Sequence, residues 1–182
     1  MSYGIPDAAN ALIRLCIDRN LTVATAESCT GGLVAGALTD VPGSSVVVDR
    51  GFVTYSNAAK QQMLGVPLAT LKQYGAVSRQ TAEAMARGAL AKSKVDLAVS
   101  ITGIAGPGGG TAEKPVGLVH FAAASRAGTS MHAAKRYGDI GRAEVRRQSV
   151  RQALRMLQEL VEADAVHSPA KPTKPKKGRK TR

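Results

Sequence analysis

The hydrophobic spacing of this chain switches repeatedly between two periods, and that alternation restricts the possible folds more than any other feature. Residues 5–19 place Ile5, Ala8, Ala9, Leu12, Ile13 and Cys16 at intervals of three and four, the repeat of one buried helical face. Residues 21–26 are short and β-prone, and residues 30–38 return to helical character behind Gly31 and Gly32. Residues 46–55 are rich in β-branched and aromatic side chains and read as a strand, although Gly51 interrupts them. Short helices are expected over 57–64 and 67–73. A clearer one runs over 79–93, with Ala82, Met85, Ala86, Ala89 and Leu90 as its stripe. Residues 95–101 form an apolar run of strand length, followed at once by the turn-rich TGIAGPGGGTAEKP. Residues 116–124 and 130–137 read as consecutive strands paired through Ala127-Gly128, and 142–163 as a closing helix. This order predicts an α/β domain: a three-layer α/β/α sandwich with a mixed, mostly parallel central sheet.

A chain of 182 residues fits one domain with a tail. A body of about 150 residues buries roughly 70% of the surface its unfolded chain exposes, enough to fold without staples. Cys16 and Cys29 give no disulfide framework, no secretory-type segment opens the sequence, and no run approaches the ~20 apolar residues of a membrane helix. A small secreted scaffold, a membrane protein and a wholly disordered chain are therefore excluded, and a soluble cytoplasmic domain is expected. The net charge of +12 is unevenly placed. Seven basic residues and no acid stand in the terminal KPTKPKKGRKTR, leaving 18 basic against 13 acidic residues, or +5, in residues 1–170. The expected organisation is a domain over 1–165 and a disordered basic tail over 166–182, whose contact with nucleic acid would be weak and non-specific.

Four segments carry residues suited to chemistry. TAESCTGG, residues 25–32, falls at a strand-to-helix junction, where unpaired N–H groups and a positive dipole end collect. Ser28 there suits a nucleophile, with the N–H groups of Cys29, Thr30, Gly31 and Gly32 as an oxyanion hole. A plain helix cap by Ser28 or Thr30 explains the same residues. In GFVTYSNAAKQQMLGV, Tyr55 and Lys60 sit at and just beyond a strand end, which parallel strands would bring to the crevice beside Ser28. Taken singly, each fits an ordinary surface position. In SITGIAGPGGGTAEKPVG, Thr102 and the backbone from Gly103 to Gly110 suit a phosphate or ribose, although no nucleotide-loop spacing is present. In YGDIGRAEVRRQ, Arg142, Arg146 and Arg147 open a helix whose dipole opposes them, which hints at an anionic partner. His120, His132 and His167 are scattered and no metal-ligand spacing occurs, so neither a metal nor another cofactor is expected.

In series, TAESCTGG, GFVTYSNAAK, GAVS, TGIAGPGGG with EKPVG, and GDIGRAEVRRQ resemble the CinA C-terminal domain family over about residues 5–163. Within it the resemblance is strongest to the stand-alone bacterial enzymes acting on nicotinamide mononucleotide (NMN). Longer family members carry a further N-terminal domain. The resemblance implies a Ser/Lys amidohydrolase converting NMN to nicotinate mononucleotide and ammonia in pyridine-nucleotide recycling, acting as a homo-oligomer. It gives Ser28 the role of nucleophile, Lys60 that of base and Tyr55 that of assistant, with Thr102 and Arg142 in the substrate pocket. Lysine is a base only when neutral, so its usual pKa of about 10.4 must fall toward 7–8, which takes about 4 kcal/mol of environment. Burial and a neighbouring cation such as Arg142 are the expected causes. The alternative is a non-catalytic nucleotide- or DNA-binding module of a competence or DNA-damage response, with the tail gripping nucleic acid.

Overall fold

The computed structural model describes residues 4–167, with side chains to Asp164. Helix α1 (Ile5–Arg19) leads into β1 (Val23–Glu27), α2 (Leu33–Thr39), a 3-10 turn at Ser44–Val46 and β2 (Val48–Val53). Helices α3 (Asn57–Leu64), α4 (Leu68–Tyr74) and α5 (Arg79–Ser93) follow, then β3 (Leu97–Gly103), β4 (Leu118–Ser125), β5 (Ser130–Arg136) and α6 (Arg142–His167). Because α6 extends to His167, the first two residues assigned to the tail continue the helix; residues 168–182 lie outside the described residues.

The five strands form one sheet in the order β2-β1-β3-β4-β5. The ladders β1–β2 and β1–β3 are parallel, whereas β3–β4 and β4–β5 are antiparallel. The sheet is therefore mixed as expected, with β4 alone running against the other four strands. The cause is the last third of the chain: β3 returns through its glycine loop without a helix, and β4–β5 close through the turn after Ser125. Antiparallel neighbours need no crossover helix.

Strand alternation assigns each face. Val23, Leu97, Val99, Ile101, Val119, Phe121 and Ala123 meet α1, α2 and α6. Ala24, Ala26 and Ala98 face α3, α4 and α5, and Ala122 and Ala124 meet Ala82 and Ala86 of α5. These small side chains let α5 lie close to the sheet. Gly51 breaks the β2 pattern for a packing reason: a Cβ there would stand 3.0 Å from both Ala35 Cβ and Thr25 Oγ1. Parallel β2, β1 and β3 end at one edge of the sheet, where ligand sites gather in open α/β folds, and all the candidate segments converge there.

Candidate active site

Ser28 directly follows β1, and its N–H donates to Ile101 O (2.9 Å), which pins it against the end of β3. Its side chain is half-buried. Lys60 lies in the first turn of α3, which Ser56 caps by accepting from Ala59 N–H at 3.0 Å. From there the lysine runs back under the strand ends, 1% exposed. Its Nζ sits 3.1 Å from Ser28 Oγ and donates to Thr54 O at 2.8 Å. Burial pushes the Lys60 amine below its ordinary 10.5, with Cys29 as a smaller opposing influence. Arg142 is not among the causes, so desolvation does the work expected of a neighbouring cation. The chain thus places a buried amine against an accessible hydroxyl, with a main-chain carbonyl fixing one of the amine's N–H bonds.

The turn after Ser28 is held more tightly than its glycines suggest. Glu27 is fully buried and forms no ion pair among the described residues. Its Oε2 accepts from Gly32 N–H (3.0 Å) and Val34 N–H (3.1 Å), and its Oε1 from Ala35 N–H (2.8 Å) and Thr25 Oγ1 (3.0 Å). An internal carboxylate therefore occupies the start of α2, which has no side-chain cap of its own. Gly31 N–H donates to Ser28 O at 3.0 Å. Of the four N–H groups expected to form an oxyanion hole, those of Gly31 and Gly32 are engaged within the turn, that of Cys29 meets its own thiol, and that of Thr30 has no partner among the described residues. The glycines serve the turn, with φ of 61° and 96°, a region glycine enters without steric cost. The Cys29 thiol is pushed up to about 12, mainly by burial, so it stays protonated at neutral pH.

The other candidates have the following surroundings. The Tyr55 ring is 61% exposed, and its hydroxyl accepts from Arg142 Nη2 at 2.8 Å; Thr54 O, not Tyr55, holds the amine. Arg142 Nη1 also donates to Gly106 O at 3.0 Å, so one guanidinium joins the β2 end to the glycine loop. Thr102 is buried with its hydroxyl donating to Ala76 O at 2.8 Å, which anchors the GAVS turn. Gly103 is a packing glycine: a Cβ there would lie 2.7 Å from Val119 Cγ2 and 2.8 Å from Leu118 O. Arg146 donates to Cys29 O and Thr30 O, and Arg147 pairs with Glu144, so neither waits for an anion. His120 and His132 face each other across β4–β5 with ring nitrogens 3.2 Å apart, and burial pulls His120 down to about 4. A groove of about 270 Å³ beside His132 and another of about 390 Å³ between α1, α2 and α6 are lined by neither Ser28 nor Lys60. The Ser28–Lys60 contact marks the candidate site.

Residues 6–161 match the model of the CinA C-terminal domain. The chain belongs to that family. A nicotinamide-nucleotide amidohydrolase, PncC, of Enterobacter agglomerans is 57% identical over 115 residues, covering 63% of this chain and 70% of that one. A CinA-like protein of Akkermansia muciniphila is 60% identical over 110 residues, 60% of this chain and 27% of the relative. The chain spans between 27% and 31% of several curated relatives that it matches. Among solved structures, the competence/damage-inducible protein CihA of Agrobacterium tumefaciens superposes with a TM-score of 0.85 at 59% identity, covering 88% of this chain and 99% of that one. A CinA superfamily protein of Klebsiella pneumoniae gives 0.84 at 34% identity, covering 88% and 99%. The three-layer architecture is thus that of the CinA superfamily. No described helix is long and apolar enough to cross a membrane.

Proposed function

We propose that this CinA-family chain is an amidohydrolase that hydrolyses the carboxamide of NMN to nicotinate mononucleotide and ammonia, with Ser28 as nucleophile and Lys60 as base. The observation that carries it is the 3.1 Å contact between a 1% exposed lysine amine and a half-buried serine hydroxyl. Serine is a weak nucleophile until a positioned base takes its proton, and a lysine whose ammonium form is penalised by burial supplies such a base. The PncC relative supports the choice of amide.

In this scheme the neutral Lys60 amine takes the Ser28 proton as Oγ bonds to the carboxamide carbon. The carbonyl oxygen becomes an oxyanion facing the N–H groups of Cys29 and Thr30. The Lys60 ammonium then protonates the departing nitrogen, the C–N bond breaks, and ammonia leaves an acyl-Ser28. Water attacks that ester and gives its proton to Lys60. As the ester bond breaks, the proton passes to Ser28 Oγ and the acid product leaves. Arg142, exposed between Tyr55 and Gly106, is assigned to the phosphate end, where a dianion calls for a charge-assisted donor.

Ammonia release from NMN, nicotinamide riboside and nicotinamide tests this scheme. Turnover should be highest for NMN and lowest for nicotinamide; preference for free nicotinamide would defeat the phosphate assignment. Removing residues 169–182 should leave NMN turnover within about threefold of the full chain while abolishing any salt-sensitive DNA retention. Turnover lost together with the tail would place that segment in the active unit.

A further inference from the structure

Main-chain N–H groups serve a developing oxyanion only if they are already fixed when charge appears. In this chain the turn after β1 is gripped from the far end of the sequence. Arg146 on α6 donates from Nε to Cys29 O at 3.1 Å and from Nη2 to Thr30 O at 2.9 Å, across 117 and 116 residues. The guanidinium fits closely: a Cβ on Gly31 would lie 3.4 Å from Nη2.

A trans peptide points its N–H opposite to its C=O, so holding one end aims the other. The carbonyl of Cys29 shares its peptide with Thr30 N–H; Arg146 Nε therefore aims that N–H away from itself. The carbonyl of Thr30 shares its peptide with Gly31 N–H, which donates to Ser28 O at 3.0 Å. Ser28 O in turn shares its peptide with Cys29 N–H. One planar cation thus fixes three consecutive peptides, two directly and one through Gly31. Of the N–H groups left in the turn, that of Cys29 meets its own thiol, and that of Thr30 has no partner among the described residues. Thr30 is fully buried and its Oγ1 is also unpartnered. Buried donors without partners are rare in native proteins and call for an explanation. Here the explanation is that the turn is kept open for an acceptor that arrives with the substrate.

We propose that Arg146 is a positioning residue that sets the oxyanion-binding turn at Cys29 and Thr30 by holding the carbonyls of both residues. The assignment rests on Ser28 acting as an acylated nucleophile. Arginine suits the task because its rigid fork meets two carbonyls at once, which a lysine point charge cannot do. The guanidinium touches neither Ser28 Oγ nor Lys60, so its influence runs through the backbone alone.

The test compares the full-length chain with Arg146→Ala and Arg146→Lys, measuring NMN turnover, thermal stability and acetylation of Ser28 by 4-nitrophenyl acetate. Misplaced donors should lower kcat of Arg146→Ala by about 10²-fold, with KM within about threefold of wild type. Millimolar guanidinium should restore part of the loss. If Arg146→Ala does not fold, Arg146→Lys, which keeps one contact, should lose about tenfold in kcat at unchanged KM. Unchanged kcat in the variant that is read, a rise in KM alone, or a loss in Arg146→Ala that guanidinium does not relieve would overturn the proposal. A wild type that is acetylated on Ser28 yet releases no ammonia from NMN would remove only the substrate assignment. Acetylation rate would then replace kcat as the readout for Arg146, with the same criteria. A wild type showing neither reaction would end both.

Discussion

Ser28→Ala and Lys60→Met are each expected to abolish ammonia release from NMN while the fold persists, and Lys60→Met is expected to melt higher than the wild type. Residues that act as one unit are lost as one unit: each substitution should cost up to about 10⁶-fold in kcat, and the double variant little more than either alone. The opposite effect on stability follows from the position of the amine. Lys60 is 1% exposed with a carbonyl and a hydroxyl as partners and no carboxylate partner among the described residues, so the folded protein disfavours its charged form. Methionine fills a similar volume without that penalty and should add about 1–2 kcal/mol at pH 7, a stability gain of the kind seen when active-site strain is relieved. The folded-state pKa of Lys60 lies below its ordinary 10.5, so between those two values the unfolded chain binds more protons. Wild-type stability therefore rises with pH across that window, and the advantage of the methionine variant should shrink toward pH 10. Activity should likewise rise with pH through the lowered lysine pKa and level off below 10.5. Thermal melts at several pH values with a pH–rate profile check both. A Lys60→Met variant that turns over normally would remove lysine from the mechanism. One destabilised at pH 7 by as much as at pH 10 would mean that the buried amine carries no strain.

What the sequence disclosed and what it concealed divide along a physical line. Helix and strand identities were legible because apolar spacing is local; α5 runs over Arg79–Ser93 as its stripe predicts. Ser28 and Lys60 were legible because both belong to recognisable runs at the ends of parallel strands. The direction of β4 was less so, since parallel and antiparallel partners present similar apolar runs and only the missing crossover helix after β3 distinguishes them. Main-chain partners were hidden altogether. Glu27 passes for an ordinary acid, yet its acceptors serve N–H groups of residues 32, 34 and 35. The available signal was an acid ending a strand just ahead of two glycines and a helix without a capping side chain. Thr102 and Gly103 pointed to a ligand because they precede a glycine loop, while nothing in the sequence showed that the first fastens the Ala76 carbonyl and the second clears β4. Arg146 could be seen as a cation on α6, but not its grip on carbonyls more than a hundred residues earlier in the chain.

Glu27→Gln should be the most destabilising conservative change near the site. The native carboxylate is acceptor on both oxygens and takes two hydrogen bonds on each. A carboxamide keeps one acceptor oxygen and brings two hydrogens of its own. If its oxygen stays with Gly32 and Val34, its NH₂ confronts Ala35 N–H, and the Thr25 hydroxyl must turn round to accept. If it is flipped, Gly32 and Val34 both lose their partner. Each buried donor left unmet costs about 1–3 kcal/mol, so the loss should reach about 2–4 kcal/mol, or roughly 5–15 °C in melting temperature for a chain of this length. Because those N–H groups open α2, loss of the negative charge also removes its favourable interaction with the helix start. The loosened turn carries Cys29 and Thr30, so kcat for NMN should fall with stability, whereas in Ser28→Ala kcat falls and stability stays. Thermal melts and steady-state kinetics on the two variants side by side separate these cases. A Glu27→Gln protein as stable as the wild type would show that the four hydrogen bonds do not require a carboxylate and that the turn is held by Arg146 and the glycines alone.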